Sequence, residues 1–164
     1  MEGEGMERLT RAALEKRVKG KVQDYPCKVV QFGEGNFLRG FVDWMIDRMN
    51  ERGLFCGKVV VVQPIKSGLV DELNKQDGLY TLILRGLHKG AVESNTVIIT
   101  CVSHGINPYE NYDKYLELAR NPDLKVIVSN CKRELYANHI ILVHQVWAVL
   151  FSGKVVRYCL ISVV

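Results

Sequence analysis

A short apolar run followed at once by two closely spaced glycines constrains the fold of this chain more than any other feature. Val29–Phe32 has the character of a strand buried on both faces of a parallel sheet. Gly33 and Gly35 come next, and from residue 36 onward apolar residues recur at helical spacing. This order predicts a strand, a tight turn and a helix, which is the opening unit of an α/β fold.

The turn between this strand and this helix has the chemistry of a dinucleotide-binding loop. Glycines at 33 and 35 leave room for a pyrophosphate against the main chain, and free N–H groups at a helix start attract anions. The pattern is incomplete, because Leu38 stands where the usual fingerprint has its third glycine, although Gly40 can substitute for it. A tight turn with a purely structural role is therefore the alternative interpretation.

The helix after the turn is expected to run over residues 36–52 and to stop at Gly53. Its apolar residues recur every three to four positions and predict the buried face: Phe37, Leu38, Phe41, Met45 and Met49. The predicted exposed face carries polar residues: Asp43, Asp47, Arg48, Asn50 and Glu51.

Weaker patterns predict the remaining elements. Residues 6–19 read as a surface helix that buries Leu9, Ala12, Ala13 and Val18. Residues 58–62 and 124–128 read as buried strands, and residues 80–87 and 92–102 as a hairpin joined by residues 88–91. A helix capped by Asn107 is expected to bury Tyr112, Tyr115, Leu116 and Ala119. The prediction is an α/β, Rossmann-type dinucleotide-binding domain with a β-hairpin elaboration over residues 25–130, after a helix in residues 1–24.

Several sequence blocks resemble one enzyme family. Residues 31–44, Gln-Phe-Gly-Glu-Gly-Asn-Phe-Leu-Arg-Gly-Phe-Val-Asp-Trp, resemble the N-terminal motif of the tagaturonate reductase (altronate oxidoreductase) branch of the mannitol dehydrogenase family. The resemblance continues through residues 59–65, 76–81 and 128–130. Mannitol-type members carry two histidines where this chain has Leu38 and Phe41, which favours the uronate branch. The resemblance implies an NAD cofactor and hydride transfer between nicotinamide and the C3 carbonyl or hydroxyl of a hexuronate.

The resemblance also implies roles for individual residues. Gly33, Gly35, Asn36 and Phe37 would form the pyrophosphate turn, Arg39 would contact phosphate or brace the loop, and Asn130 would lie near the nicotinamide ribose. A solvent-facing arginine and an ordinary strand-end asparagine are the structural alternatives for the last two.

Gln63 ends the second strand, where many NAD-binding folds place a carboxylate on the ribose. Its amide can bind a ribose hydroxyl but does not repel a 2′-phosphate, so NAD over NADP rests on the resemblance. No catalytic residue is expected in this chain, because the family's catalytic lysine, asparagine and histidine lie in a C-terminal helical domain that we expect to be absent. His88 and His104 are therefore not candidates.

Residues 131–164 differ in character from what the family would show there. The segment has one acidic residue, Glu134, and two long apolar runs, residues 140–151 and 155–164, without helical or strand periodicity. We interpret it as a divergent apolar tail, the product of a truncated gene or an altered reading frame, through which copies of the chain could associate. A membrane span is disfavoured because polar residues interrupt the run. Cys131, His139 and His144 lack a fourth zinc ligand, so no metal site is expected.

Composition narrows the partners and the compartment. A net charge of +4 spread among nearly equal numbers of acids and bases gives no basic stripe for nucleic acid. Five widely spaced cysteines without a Cys-x-x-Cys pair, and an N-terminus without an apolar signal core, predict reduced thiols in the cytoplasm.

Two classes of function follow. The chain is the cofactor-binding part of an NAD-dependent oxidoreductase, inactive by itself and handling a hexuronate only with a second domain. Alternatively, it is a non-catalytic nucleotide-binding fragment. A fragment of a mannitol-type polyol dehydrogenase is a weaker reading.

Overall fold

A computed structural model describes residues 8–20, 22–88, 91–129, 146–151 and 154–159, with main chain only at residues 87, 88 and 91 and in the last two ranges. Its strands are β1 (Cys27–Phe32), β2 (Lys58–Val62), β3 (Tyr80–His88), β4 (Ala91–Ile99), β5 (Val102–Ile106), β6 (Val126–Ser129), β7 (Val146–Phe151) and β8 (Lys154–Cys159). Its helices are α1 (Arg11–Arg17), α2 (Asp43–Glu51), α3 (Val70–Lys75) and α4 (Tyr112–Glu117), with a π turn at Leu38–Val42 and a 3-10 turn at Leu118–Arg120.

Four parallel strands form the central sheet in the order β5-β2-β1-β6. Phe32 at the end of β1 pairs with Val62 of β2 and Ser129 of β6, and Val62 pairs with Ile106 of β5. The carboxyl ends of the four strands therefore meet along one edge. Counted along the chain, these parallel strands lie in the order 3-2-1-4, as in the first half of a Rossmann fold. The predicted fold class is confirmed.

The centre of the sheet is buried because it is covered on both faces. Every residue of β2 is buried, and Val59 and Val61 are fully inaccessible. Side chains from the sheet, α2 and α3 form one apolar cluster, which includes Val29, Leu38, Ile46, Val59, Val61, Val70, Leu73, Ile99, Cys101, Val102 and Val128. Continuous burial explains why β2 is a run of valines rather than an alternating strand.

The predicted hairpin is present as β3 and β4, which pair antiparallel from Tyr80↔Ile99 to His88↔Ala91. The prediction extended its second strand to Val102, which is wrong. The strand ends at Ile99, and Val102 starts β5 in the parallel sheet. Strands β4 and β5 are separate because the main-chain N–H and the hydroxyl of Thr100, which lies between them, both donate to Asp47 Oδ1, each at 2.9 Å.

The crossover helix is interrupted by the π turn near its start. The N–H of Asp43 bonds to the carbonyl of Leu38, five residues back instead of four. This extra residue turns the rest of the helix by about 100° relative to a continuous α-helix. The predicted burial is consequently wrong for most of α2: Asp43, Ile46 and Asp47 are buried, whereas an apolar stripe is exposed at Phe37, Phe41, Met45 and Met49. The predicted stop is confirmed, since Gly53 has a left-handed φ of +66°.

The N-terminal helix is shorter than predicted. Ala13 and Leu14 are its buried residues, whereas Ala12 and Val18, expected on the buried face, are exposed. The Thr10 side chain caps the helix by accepting from the N–H of Ala13 at 3.2 Å. Arg11 docks the helix on the turn before β3, since its main-chain N–H donates to Asp77 Oδ2 at 3.0 Å.

The helix predicted to start at Asn107 starts later and buries none of the residues expected. Asn107 instead closes a turn, because its Oδ1 accepts from the N–H of Tyr109 and its Nδ2 donates to Glu110. Asn111 caps α4 by accepting from the N–H of Lys114 at 3.0 Å. Tyr112, Leu116 and Ala119 are exposed and Tyr115 is half-buried. The Asn107 side chain thus makes the contacts expected of a capping residue, but no helix begins there.

Part of the tail forms a second antiparallel hairpin. Strands β7 and β8 pair from Val146↔Cys159 to Phe151↔Lys154. The sequence predicted neither helix nor strand here, because a continuous apolar run carries no period by which a strand could be recognised. Within the described residues, no helix is long and apolar enough to cross a membrane.

Candidate functional site

The carboxyl edge of the parallel sheet gathers most of the predicted site. Residues 33–35 follow β1, Gln63 follows β2 and Asn107 follows β5. Asn130 follows β6 in sequence but lies outside the described residues. The chain reverses direction across the sheet between β1 and β6, and open α/β sheets bind ligands at such a switch point.

The glycine turn, residues 33–35, has the two properties expected of a phosphate cradle. Gly33 adopts a φ of +115°, which side-chain-bearing residues avoid, and its N–H bonds to the Val62 carbonyl at 2.9 Å. A Cβ on Gly35 would meet no atom within 4 Å, so open space lies directly beside the main chain. Arg39 N–H bonds to the Gly35 carbonyl at 3.1 Å, which joins the turn to the helix.

Leu38 takes over the packing role of the missing third glycine. It is 2% exposed, and its Cδ1 lies 3.3 Å from the position a Cβ would occupy on Gly33. A leucine therefore supports the turn from below where a glycine usually brings helix and strand together. Gly40 lies in the π turn, and a Cβ there would contact Leu82 of the hairpin at 3.6 Å. Gly40 therefore faces the hairpin and does not substitute in the cradle.

Three further predicted ligands lie in the first helical turns. Asn36 is exposed, and its Oδ1 accepts a hydrogen bond from Arg39 Nη2 at 2.9 Å. The guanidinium of Arg39 also lies over the Tyr80 ring, 5.6 Å from its centroid. Phe37 is half-exposed and packs against Phe41 with ring centroids 5.4 Å apart. Arg39 is thus held beside the glycine turn rather than extended into solvent.

Gln63 is differently engaged from the other predicted ligands. It is 3% exposed, and its amide nitrogen donates to the carbonyls of Ile65 and Lys66. Its amide oxygen accepts from the N–H of Val70 at 3.2 Å. The side chain therefore braces the loop between β2 and α3.

Glu34, which the sequence analysis did not single out, lies against the same loop. It is 8% exposed, and its Oε1 accepts from the N–H of Leu69 at 3.4 Å. A Cβ on Gly68 would fall on this oxygen and within 2.5 Å of Gln63 Oε1. A carboxylate from the glycine turn and an amide from β2 therefore converge on one glycine at the sheet edge.

A buried polar cluster, Gln31, Asp43 and Tyr80, lies beneath the turn and was also missed. Gln31 Nε2 donates to the Gly33 carbonyl at 3.2 Å and lies 3.5 Å from Asp43 Oδ2. The Tyr80 hydroxyl lies 2.9 Å from Asp43 Oδ2 and 2.8 Å from the Arg39 carbonyl. One hydroxyl proton cannot serve both oxygens, so a protonated Asp43 that donates to Tyr80 satisfies the geometry.

Burial explains why Asp43 holds its proton. Removal from water raises the pKa of Asp43 to about 7, although hydrogen bonding with Tyr80 and Gln31 and the charge of Arg39 oppose the shift. Burial and the nearby Asp43 also raise the pKa of Tyr80, which stays a hydrogen-bond donor. In the sequence, only the position of Asp43 on the helix could have indicated this cluster. The π turn changes which side of the helix is buried, so regular helical spacing placed Asp43 on the exposed face.

Other titratable groups lie away from the turn. His104 borders a cleft of about 780 Å³ between α3, β5 and α4, which none of residues 33–39 lines. Its Nδ1 lies 3.1 Å from Ser103 Oγ, and burial and Lys114 lower its pKa. In the part of the chain that the structure describes, no three His, Cys, Asp or Glu residues form a metal-binding group. The candidate set Cys131, His139 and His144 lies outside that part.

Comparison with known proteins agrees with this fold. The mannitol dehydrogenase Rossmann domain family matches residues 27–140. The altronate oxidoreductase of Halalkalibacterium halodurans is 45% identical over 128 residues, which are 76% of this chain and 25% of that protein. The altronate oxidoreductase of Bacteroides thetaiotaomicron is 48% identical over 118 residues, which are 72% of this chain and 24% of that protein. The chain thus spans about a quarter of the length of these relatives.

Solved structures show the same architecture at low sequence identity. Substrate-free D-sorbitol dehydrogenase superposes with a TM-score of 0.64 at 20% identity, over 78% of this chain and 28% of that one. Pseudomonas fluorescens mannitol 2-dehydrogenase, solved with NAD and D-mannitol, gives a TM-score of 0.63 at 16% identity, over 76% and 26%. The family match, the parallel strand order and the glycine turn lead to one conclusion: this chain belongs to the mannitol dehydrogenase family and contains its Rossmann domain.

Proposed function

We propose that this chain binds NAD(H) at the carboxyl edge of its parallel sheet, as the cofactor domain of an altronate oxidoreductase-type enzyme. The observation that carries the proposal is the open space beside Gly35, at the start of a helix and at the sheet's switch point. The proposed contacts are six of the seven predicted residues, Gly33, Gly35, Asn36, Phe37, Arg39 and Asn130, while the seventh, Gln63, braces the β2–α3 loop beside them.

The residues of the turn fit a dinucleotide. Main-chain N–H groups of residues 36–38 begin the helix, and the positive end of its dipole favours a pyrophosphate there. Arg39 brings a full positive charge beside these groups, in a position fixed by Asn36 and by the Tyr80 ring. When bound, the nicotinamide supplies the hydride chemistry, while these residues bind and orient the cofactor.

The type of reaction is inferred from the relatives. Altronate oxidoreductases match 71–76% of this chain at 45–48% identity. We therefore propose a hexuronate, exchanging hydride between nicotinamide and its C3 carbonyl or hydroxyl, as the substrate of the complete catalytic unit. By resemblance the catalytic lysine, asparagine and histidine lie in a second domain, so residues 1–164 are expected to bind cofactor without turnover. We expect the protein in the cytoplasm, in keeping with free thiols at Cys27, Cys56 and Cys101.

A titration of the purified chain with NADH, followed by fluorescence, tests cofactor binding. Circular dichroism on the same sample establishes that the chain is folded. Saturable binding is expected, and a folded chain that binds no NADH would contradict the proposal. Turnover of tagaturonate with NADH, assayed in parallel, separates an active oxidoreductase from a non-catalytic nucleotide-binding chain.

A mannitol-type polyol substrate is the second candidate and has less support. Leu38 and Phe41 stand at the two histidine positions of that type, and Leu38 is buried beneath the turn. Oxidation of D-mannitol with NAD⁺ in the same assay would favour it.

A further inference from the structure

The dinucleotide site proposed above lacks an acidic residue at the place where NAD-selective Rossmann folds usually carry one. That residue ends the second parallel strand and binds the ribose hydroxyls of the adenosine half. Here the position is Gln63, and its amide is fully engaged with the carbonyls of Ile65 and Lys66 and the N–H of Val70. Gln63 has no remaining proton to donate, and it carries no charge that could repel a 2′-phosphate.

A carboxylate nevertheless lies at this place, and it comes from another strand. Glu34, between the two glycines of the turn, reaches across the end of β2, where Glu34 Oε1 and Gln63 Oε1 would both clash with a Cβ on Gly68. Gly68 is therefore the residue that lets the β2–α3 loop close over both side chains. The loop holds Glu34 Oε1 through the N–H of Leu69 at 3.4 Å.

The hydrogen bonding of Glu34 is incomplete. The side chain is more than nine-tenths buried, yet a long bond from one N–H is its only hydrogen bond within the described part of the chain. No cation pairs with it among the described residues. Its Oε2 is accessible rather than fully buried. Glu34 Oε2 is thus an unused acceptor at the edge of the site.

We propose that Glu34 binds the adenosine ribose hydroxyls of NAD(H) and selects against NADP(H), replacing the acidic residue that is missing from the end of β2. This inference rests on the proposed function, since it assumes that a dinucleotide occupies the glycine turn. A ribose 2′-hydroxyl can donate to the free carboxylate oxygen. A 2′-phosphate brings two negative charges close to the same oxygen, and like charges at short range repel.

The test compares NADH and NADPH titrations of the wild-type chain and of Glu34→Gln, followed by fluorescence. Glutamine keeps an oxygen for the N–H of Leu69 while it removes the charge, so the loop retains its contact. Wild type is expected to bind NADH far more tightly than NADPH. Glu34→Gln is expected to bind NADPH at least about tenfold more tightly than wild type and NADH several-fold more weakly.

Glu51→Gln is the matched control because it removes the same charge from the far end of α2. Residues 36–51 are sixteen consecutive helical residues, so the helix that begins beside the glycine turn and ends at Glu51 is roughly 24 Å long. The control should leave the ratio of the NADH and NADPH affinities unchanged. A mutation-free measurement accompanies it: the preference of wild type for NADH should shrink as salt rises, because salt screens the repulsion.

The outcomes separate this inference from the function on which it rests. If wild type binds NADH and Glu34→Gln shows the same ratio of affinities, Glu34 does not select the cofactor, while the dinucleotide site stands. A wild type that prefers NADPH also overturns the inference alone, and would point to the cation of Lys66 in the adjoining loop. A folded wild type that binds neither nucleotide overturns both.

Discussion

The glycine turn and the buried polar cluster are only a few ångströms apart, yet they are built in opposite ways. The turn is open, since a Cβ on Gly35 would touch nothing, and its neighbours Asn36 and Phe37 are exposed. The cluster is closed, since Gln31 and Asp43 are fully buried and Asp43 is hydrogen-bonded to both Gln31 and Tyr80. The ligand-facing layer therefore has free space, and the layer beneath it fixes the shape of that space. Mutations in the two layers should have separable effects.

The largest effect is expected in the closed layer. Asp43→Ala leaves Gln31 and Tyr80 with an unfilled cavity and lost partners, which should lower the free energy of unfolding by about 2–4 kcal/mol. Asp43→Asn is the control, because its amide N–H can take the place of the carboxyl proton and donate to Tyr80. Urea unfolding at constant pH measures both. An Asp43→Ala chain as stable as wild type would show that these contacts add nothing to stability.

The next effect should appear in the open layer, in binding and not in stability. Gly35→Val fills the space beside the main chain and should weaken NADH binding at least tenfold, equivalent to about 1.4 kcal/mol or more. Its stability should change by about 0.5 kcal/mol or less, because the new side chain meets no atom. Gly86→Val on β3 is a matched control, since a Cβ there also meets nothing. A Gly35→Val chain with wild-type affinity for NADH would remove the turn from the site.

Arg39 contacts both layers, because its guanidinium bonds to Asn36 in the open layer and lies over the Tyr80 ring of the closed one. Arg39→Ala should weaken NADH binding by about 1–2 kcal/mol if the guanidinium makes a charge-assisted phosphate contact. The exposed Arg120→Ala removes the same charge from the 3-10 turn after α4 and should leave affinity unchanged. Isothermal titration calorimetry compares the two. Unchanged affinity in Arg39→Ala would mean that this arginine only braces the loop.

The last effect is gradual, because it is a pH dependence of stability. The folded-state pKa of Asp43, about 7, lies above the ordinary value of 3.8, so between these values the folded state holds a proton that the unfolded state has released. Stability from this group is complete below the unfolded pKa and is lost as pH rises towards 7, by at most about 1.4 kcal/mol per pH unit. The difference in unfolding free energy between wild type and Asp43→Asn isolates it. A difference that grows with pH would have the wrong sign.

The sequence could predict the elements whose burial is symmetrical. β1, β2 and β6 are short apolar runs of the parallel sheet, and β2 is buried along its whole length, so their strand character could be recognised without knowing which face each residue occupies. The glycine turn could also be predicted, because the order strand, glycine, helix is local in the chain. Its proposed contacts remain a prediction, and Asn130 among them lies outside the described residues.

Features that depend on the phase of a helix or on tertiary contacts could not be predicted. The side of α2 that faces the core was assigned wrongly because one extra residue in the π turn changed the phase, so that Asp43 and Asp47 turned inward. Glu34 was missed because its role depends on the β2–α3 loop, which approaches only in three dimensions. Such tertiary contacts leave no period in the sequence.

The π turn also has a consequence for how this protein tolerates change in length. Removing one residue between positions 38 and 42 would leave the Asp43 N–H four residues from the Leu38 carbonyl, as in an ordinary α-helix, and would keep the residues after it on their present sides. Asp43 and Asp47 would still face their partners, and Met45 and Met49 would stay outward. The same deletion inside α2 would rotate everything after it by about 100°. The π turn is therefore a place where the chain can lose a residue without turning the helix that supports the nucleotide site.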